Sequence, residues 1–123
     1  DGAGGWNLSI PPKITIWTAL DPTYISNGCL QIIPGSHKTM IPEKGDLLSP
    51  EEIEAHAPDD KRLYLEMEMG EVVLLHNWTL HRSEVNTTNQ PRRAFSVCYI
   101  DAATRQKSNN HQFPQIFPTY VPS

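Results

Sequence analysis

The chain is 123 residues long with a formal net charge of -4, a size that makes one domain with a small core. Its basic residues are scattered rather than gathered into a stripe, which argues against nucleic acid as a partner. No apolar run approaches membrane-spanning length and no charged-then-apolar leader opens the chain, so neither a membrane nor a secretory route is expected and the cytoplasm is the expected location. The chain opens on Asp1 and a Gly-rich turn rather than on Met, which reads as a chain cut from a longer one.

In chain order, residues 1–12 are loop, with Gly and Pro and little periodicity. Lys13 to Leu20 alternates as a strand, with Thr15, Trp17 and Ala19 on one face and Ile14, Ile16, Thr18 and Leu20 on the other. Asp21 to Gly28 is turn-rich and ends in Asn-Gly, a hairpin signal. Cys29 to Ile33 is a second strand, stopped by Pro34-Gly35, and Ser36 to Asp46 is polar loop. Ser49-Pro50-Glu51-Glu52 marks a helix start, with Ser as N-cap, Pro at the first helical position and Glu placed for a capping box; this short helix ends near Ala57.

Leu63 to Met69 alternates as a half-exposed strand, and Gly70 turns the chain. From Gly70 to Tyr99 the pattern is strand, tight polar loop, strand, with Val72 to His76 and Arg93 to Ile100 as the strands. The Pro-rich tail from Asp101 has no period and is expected to wrap the domain or remain partly disordered. Cys29 and Cys98 lie in apolar runs and read as buried free thiols. Sequons at Asn7, Asn77 and Asn86 read as chance matches. Short strands joined by turns, with one minor helix, argue a mainly antiparallel β sandwich or barrel, with too few strands to close a jelly roll alone.

The chemistry is concentrated late in the chain. Of the 5 histidines, His56 lies among charges and His111 in the tail, and His37 follows Pro34-Gly35-Ser36, where it can cap a loop or line a pocket. His76 and His81 stand at a strand end, where one histidine supplies part of a two-histidine, one-carboxylate iron site that leaves positions open for oxygen chemistry. Arg92 shares a strand face with the small residues Ala94, Ser96 and Cys98, whereas Arg93 shares one with Phe95, Val97 and Tyr99. The small-residue face leaves room for a ligand, so Arg92 is the inward arginine, and its planar, permanently charged fork suits a carboxylate. The competing reading pairs Arg92 with Glu66, Glu68 or Glu71 in a structural salt bridge.

Several motifs occur in order: Ile16-Trp17-Thr18-Ala19-Leu20, Asn27-Gly28-Cys29-Leu30, Ile33-Pro34-Gly35-Ser36-His37, Leu80-His81-Arg82-Ser83, Asn86 and Pro91-Arg92-Arg93-Ala94. Over about residues 1–104 this series resembles the phytanoyl-CoA dioxygenase family, iron(II)- and 2-oxoglutarate-dependent oxygenases built on a double-stranded β-helix, or cupin-like jelly roll. The resemblance implies an incomplete jelly-roll core over residues 1–104 followed by a tail over 105–123. It places the distal iron-binding histidine at His81 rather than His76 and the 2-oxoglutarate arginine at Arg92. Ser83 is similar to the hydroxyl that helps hold the distal carboxylate, and Trp17 resembles the aromatic lining that pocket. Asp1 resembles the carboxylate ligand of the family's His-x-Asp pair, whose histidine would lie two residues before this chain.

The resemblance further implies Fe(II) and 2-oxoglutarate as cofactors, dioxygen and a small organic molecule as substrates, and hydroxylation of an unactivated C–H bond with release of succinate and carbon dioxide. An aspartate at the carboxylate position favours hydroxylation over halogenation. Nothing in the sequence names the substrate, and no basic cluster for a CoA phosphate stands out. Two other readings fit a jelly roll: a cupin-like binding module without redox chemistry, and a cupin isomerase or epimerase using His76 or His81 as a base.

Overall fold

The computed structural model describes residues 6–39 and 48–117. Six strands form two antiparallel sheets of three: β1 (Ile14–Ala19), β2 (Leu30–Ile32), β3 (Leu63–Leu65), β4 (Val72–His76), β5 (His81–Ser83) and β6 (Ala94–Tyr99). One sheet runs β4-β1-β6 and the other β3-β2-β5. After β3 the chain crosses to the other sheet at every connection, which is the zigzag of a jelly roll. The fold is thus the mainly β, cupin-like architecture expected. Among the described residues, β5 and β6 are both outer strands of their sheets.

Register confirms the two-face reading of β1. Thr15 lies opposite Leu75 and Cys98, Trp17 opposite Val73 and Ser96, and Ala19 opposite Ala94. Thr15 and Ala19 are buried at 8% and 0% exposure, while Ile14, Val72, Leu74, Phe95 and Tyr99 on the opposite face are exposed. The β-branched residues of β1 suit a pleated strand packed on one side, and it is the Thr15 and Ala19 side that is the more buried. That side also carries a polar network: Thr15 Oγ1 donates to Asn77 Oδ1 at 3.1 Å, and Asn77 Nδ2 donates to Cys98 Sγ at 3.0 Å. Asn77 is buried and committed to these bonds, so its sequon has no free amide to modify. Both cysteines are free, as expected, but only Cys29 is buried; Cys98 is half-buried.

Helix α1 (Pro50–His56) begins as its sequence dictates. The Glu52 backbone N–H donates to Ser49 Oγ and the Ser49 N–H donates to the Glu52 carboxylate, closing the capping box with Pro50 in the first turn. Part of the tail wraps the body: Leu8 bridges Gln106, and the Ser9 N–H donates to Arg105 O at 2.9 Å.

Three local expectations change. Asn27-Gly28 makes no hairpin, because β1 and β2 belong to different sheets; it closes a short 3-10 turn, Ile25–Asn27, with Gly28 left-handed at φ 79°. The strand expected over Leu63 to Met69 stops at Leu65, and Met67 forms only an isolated bridge with Thr23. The polar loop between β4 and β6 contains a further strand, β5, which exists because β2 offers it an edge.

Candidate metal and carboxylate site

β5 is short and polar, and its position is imposed from outside. Ile32 pairs with His81 and Leu30 with Ser83. Two further contacts fix its ends. At the start, the Pro34-Gly35-Ser36 turn reaches across: the Leu80 N–H donates to Ser36 Oγ at 2.9 Å, Ser36 Oγ donates to Ile33 O at 2.7 Å, and the Ile33 N–H donates to Leu80 O at 3.0 Å. At the far end, Gly28 lies so close that a Cβ there would sit 2.3 Å from the Glu84 backbone oxygen. Only glycine combines that approach with its φ of 79° without strain.

His81 opens β5 and is exposed. Its Nδ1 lies 2.8 Å from Thr79 O. A carbonyl oxygen only accepts, so Nδ1 carries the proton and Nε2 presents its lone pair, the tautomer of a histidine prepared for a metal. Ser83, two positions on, is on the same strand face and also exposed. His76 is differently employed. Its Nδ1 accepts from the Trp78 N–H at 3.1 Å, its ring lies 5.2 Å from that of His37 and 5.5 Å from that of Trp78, and its partner in β1 is Ile14, on the exposed apolar face.

Arg92 stands just before β6 and is half-buried. Its Nε is buried and has no hydrogen-bond partner. No ion pair with Glu66, Glu68 or Glu71 forms among the described residues, so the structural salt bridge weighed from the sequence is not made. Burial and then Glu66 push the Cys29 thiol pKa up, while the Arg92 charge pulls it down. Cys29 directly precedes Leu30, the register partner of Ser83. Trp17 is half-buried in mid β1, on the face that Arg92 continues through Ala94 and Ser96.

Asp1 lies outside the described residues, and among those described no group of His, Cys, Asp and Glu is composed to hold a metal alone. Tested against iron and 2-oxoglutarate, the residues present fit in part. His81 offers an imidazole nitrogen, and Arg92 offers a half-buried guanidinium whose buried Nε has no hydrogen-bond partner and which makes no ion pair among the described residues, so a carboxylate would satisfy it.

Two groups carry no site role in the sequence: Ser36, which falls in a polar loop and in the Ile33-Pro34-Gly35-Ser36-His37 motif, and Asp21, which opens a turn. Asp21 is buried at 8% exposure and accepts three hydrogen bonds from Arg93: backbone N–H at 2.7 Å, Nε at 2.8 Å and Nη2 at 2.9 Å. Those bonds hold the Asp21 carboxyl down to about 2. Their only sequence signal was an acid at the end of one strand and an arginine at the start of another, which is uninformative until the strands are known to pair.

The two-sheet fold is shared with solved iron- and 2-oxoglutarate-dependent enzymes. The chain is similar to the non-heme alpha ketoglutarate dependent epimerase SnoN from nogalamycin biosynthesis, with 29% identity and a TM-score of 0.63 over 78% of this chain and 35% of that one. SnoN has also been solved in complex with Fe3+, alpha ketoglutarate and nogalamycin RO. A similar likeness holds for the carbocyclase SnoK of the same biosynthesis, at 28% identity and a TM-score of 0.62, over 77% of this chain and 38% of that one. The phytanoyl-CoA dioxygenase family model matches residues 9–94, and the chain belongs to that family. Among its relatives is phytanoyl-CoA dioxygenase 1 of Oryza sativa subsp. japonica, 33% identical over 99 residues, covering 74% of this chain and 34% of the rice protein. The chain spans 42% of a Caenorhabditis elegans relative's length and 28% of a rat one's. No helix among the described residues is long and apolar enough to cross a membrane.

Proposed function

We propose that the protein carrying this chain is an Fe(II)- and 2-oxoglutarate-dependent dioxygenase that hydroxylates an unactivated C–H bond of a small organic substrate. The observation that carries the reading is Arg92: a half-buried arginine whose buried Nε has no hydrogen-bond partner, on the strand face it shares with Ala94, Ser96 and Cys98. A buried N–H donor without an acceptor is costly, and an anionic ligand would supply one. Family membership over residues 9–94 and the likeness to SnoN and SnoK support the cofactor pair.

In this reading His81 Nε2 is one metal ligand, its ring oriented by the Nδ1 bond to Thr79 O. Asp1 supplies the carboxylate ligand, with a histidine from outside this chain as the third. Arg92 binds the distal carboxylate of 2-oxoglutarate through its planar fork, Ser83 adds a hydroxyl donor, and Trp17 closes the pocket against water. Iron with 2-oxoglutarate and dioxygen supplies the oxidation, in which one oxygen atom enters succinate as carbon dioxide leaves and the other enters the substrate hydroxyl. The chain's residues contribute ligation, carboxylate orientation and exclusion of water.

SnoN and SnoK favour a second outcome at the same site, since one is an epimerase and the other a carbocyclase. There, hydrogen removal from substrate ends without oxygen insertion. The test is succinate release from 2-oxoglutarate on the full-length protein, with added Fe(II), candidate substrates and labelled dioxygen. Hydroxylation puts label in both succinate and product; epimerisation or cyclisation labels succinate alone. Absence of Fe(II)-dependent 2-oxoglutarate turnover with every substrate, together with absence of 2-oxoglutarate binding, refutes both.

A further inference from the structure

Arg92 and Arg93 are neighbours with opposite roles, and the structure shows what separates them. The residue 93 backbone is gripped on both sides: its N–H donates to Asp21 Oδ2 at 2.7 Å, and its carbonyl accepts from the Leu20 N–H at 2.9 Å. The Asp21 carboxylate also takes both guanidinium bonds of Arg93, whose side chain runs outward and is 72% exposed. With residue 93 pinned outward, strand alternation sends Arg92 to the other face, where its Nε is buried. The pair joins the end of β1 to the start of β6, beyond the last register pair, Ala19 with Ala94. Without the carboxylate, this entry to β6 would be held only by the Leu20 and Asp21 N–H groups on the Arg93 carbonyl, and the Arg93 N–H and guanidinium would lose their acceptor.

We propose that Asp21 is a positioning residue for 2-oxoglutarate binding: by clamping Arg93 through its backbone N–H and guanidinium, it fixes the strand entry that aims Arg92 at the distal carboxylate. The inference rests on the proposed 2-oxoglutarate role of Arg92 and adds a residue that does not touch the ligand. It also separates two effects of charge. Asp21 neutralises Arg93 on the outer face, while Arg92 makes no ion pair among the described residues, so an anion is drawn to one arginine and not shared between two.

The experiment uses the full-length protein loaded anaerobically with Fe(II). It is titrated with 2-oxoglutarate and, separately, with 2-oxopentanoate, a five-carbon 2-oxo acid without the distal carboxylate. Binding is read from the visible charge-transfer band and by calorimetry. Asp21→Asn is expected to raise the Kd for 2-oxoglutarate about tenfold, the lower end of effects from residues that orient a ligand-binding group. Its Kd for 2-oxopentanoate and its Fe(II) affinity should match wild type. Arg93→Ala keeps the backbone N–H bond to Asp21 and is expected to show a smaller rise. Asp21→Glu, which keeps the charge but moves the carboxylate, should show the same selective loss and serves if Asp21→Asn does not fold.

Equal losses for both 2-oxo acids, or none, overturn the assignment. If wild type binds 2-oxoglutarate and Arg92→Ala does not, while Asp21→Asn and Asp21→Glu bind like wild type, only the Asp21 role falls. If wild type binds neither acid, the proposed function falls with it.

Discussion

Gly28→Ala tests how the site strand is held. Gly28 is left-handed at φ 79°, and the added Cβ would meet Glu84 O at 2.3 Å, with the Glu84 carbonyl carbon at 3.0 Å and that of Val85 at 3.4 Å. Each of these is backbone, so no side chain can rotate away. The φ alone costs about 1–2 kcal/mol for a residue with a Cβ. The contact costs a further 1–3 kcal/mol or so, the range for overpacking, as β5 moves back by about 1 Å to restore an ordinary distance. Together the substitution is expected to destabilise the protein by about 3 kcal/mol, read from the urea midpoint at unchanged slope. Gly28→Asn divides the two effects. Asn tolerates a left-handed backbone but has the same Cβ, so it should still lose about 2 kcal/mol. A Gly28→Asn protein within about 0.5 kcal/mol of wild type, the range of neutral surface changes, would refute the contact and with it the claim that Gly28 sets the position of β5. Because β5 carries His81, the same variants should also weaken Fe(II) binding.

Two further perturbations act on the two clamps. Ser36→Ala removes the acceptor of the Leu80 N–H, while Ile33 O keeps the Ser36 backbone N–H; it should cost about 1–3 kcal/mol by leaving the Leu80 N–H unpaired and loosen Fe(II) binding more than 2-oxoglutarate selectivity, because it sits beside His81. Fe(II) affinity equal to wild type would remove Ser36 from the site's support. The Asp21 carboxyl is held down to about 2 from an ordinary 3.8 by the Arg93 bonds. A depressed folded-state pKa gives stability that is complete above the unfolded value and lost as pH falls through the folded one. The stability gap between wild type and Asp21→Asn should therefore be constant above pH about 4 and narrow below it, measured by urea unfolding at each pH; a gap that widens on acidification contradicts the clamp.

Much of the architecture was legible because local chemistry and tertiary outcome agree. β1 alternates in the sequence and in the sheet, the Ser49–Glu52 capping box opens α1, and the two arginines fall on the faces that parity assigns. β5 was not legible. His81-Arg82-Ser83 has neither apolar alternation nor strand propensity, and it is extended only because β2 presents an open edge and Ser36 and Gly28 hold its ends. Asn27-Gly28 carries a hairpin signal for a local reason, a tolerated left-handed residue. The structure uses that same freedom for a turn end and a close backbone approach between distant segments. For the candidate site, the strand-face argument turns Arg92 inward unaided, whereas its proposed ligand and the choice of His81 over His76 rest on the family resemblance. The ring contacts of His76 with His37 and Trp78, which occupy it elsewhere, join groups that no sequence spacing links.

The central claim is that His81 and Arg92 belong to one site that holds iron and 2-oxoglutarate together. Its most direct test is the visible spectrum of the full-length protein under anaerobic Fe(II) and 2-oxoglutarate, compared across wild type, His81→Ala and Arg92→Ala. The account predicts a weak charge-transfer band in wild type, none in His81→Ala at any 2-oxoglutarate concentration, and recovery in Arg92→Ala only at much higher 2-oxoglutarate. A band of wild-type strength and 2-oxoglutarate dependence in His81→Ala would contradict it.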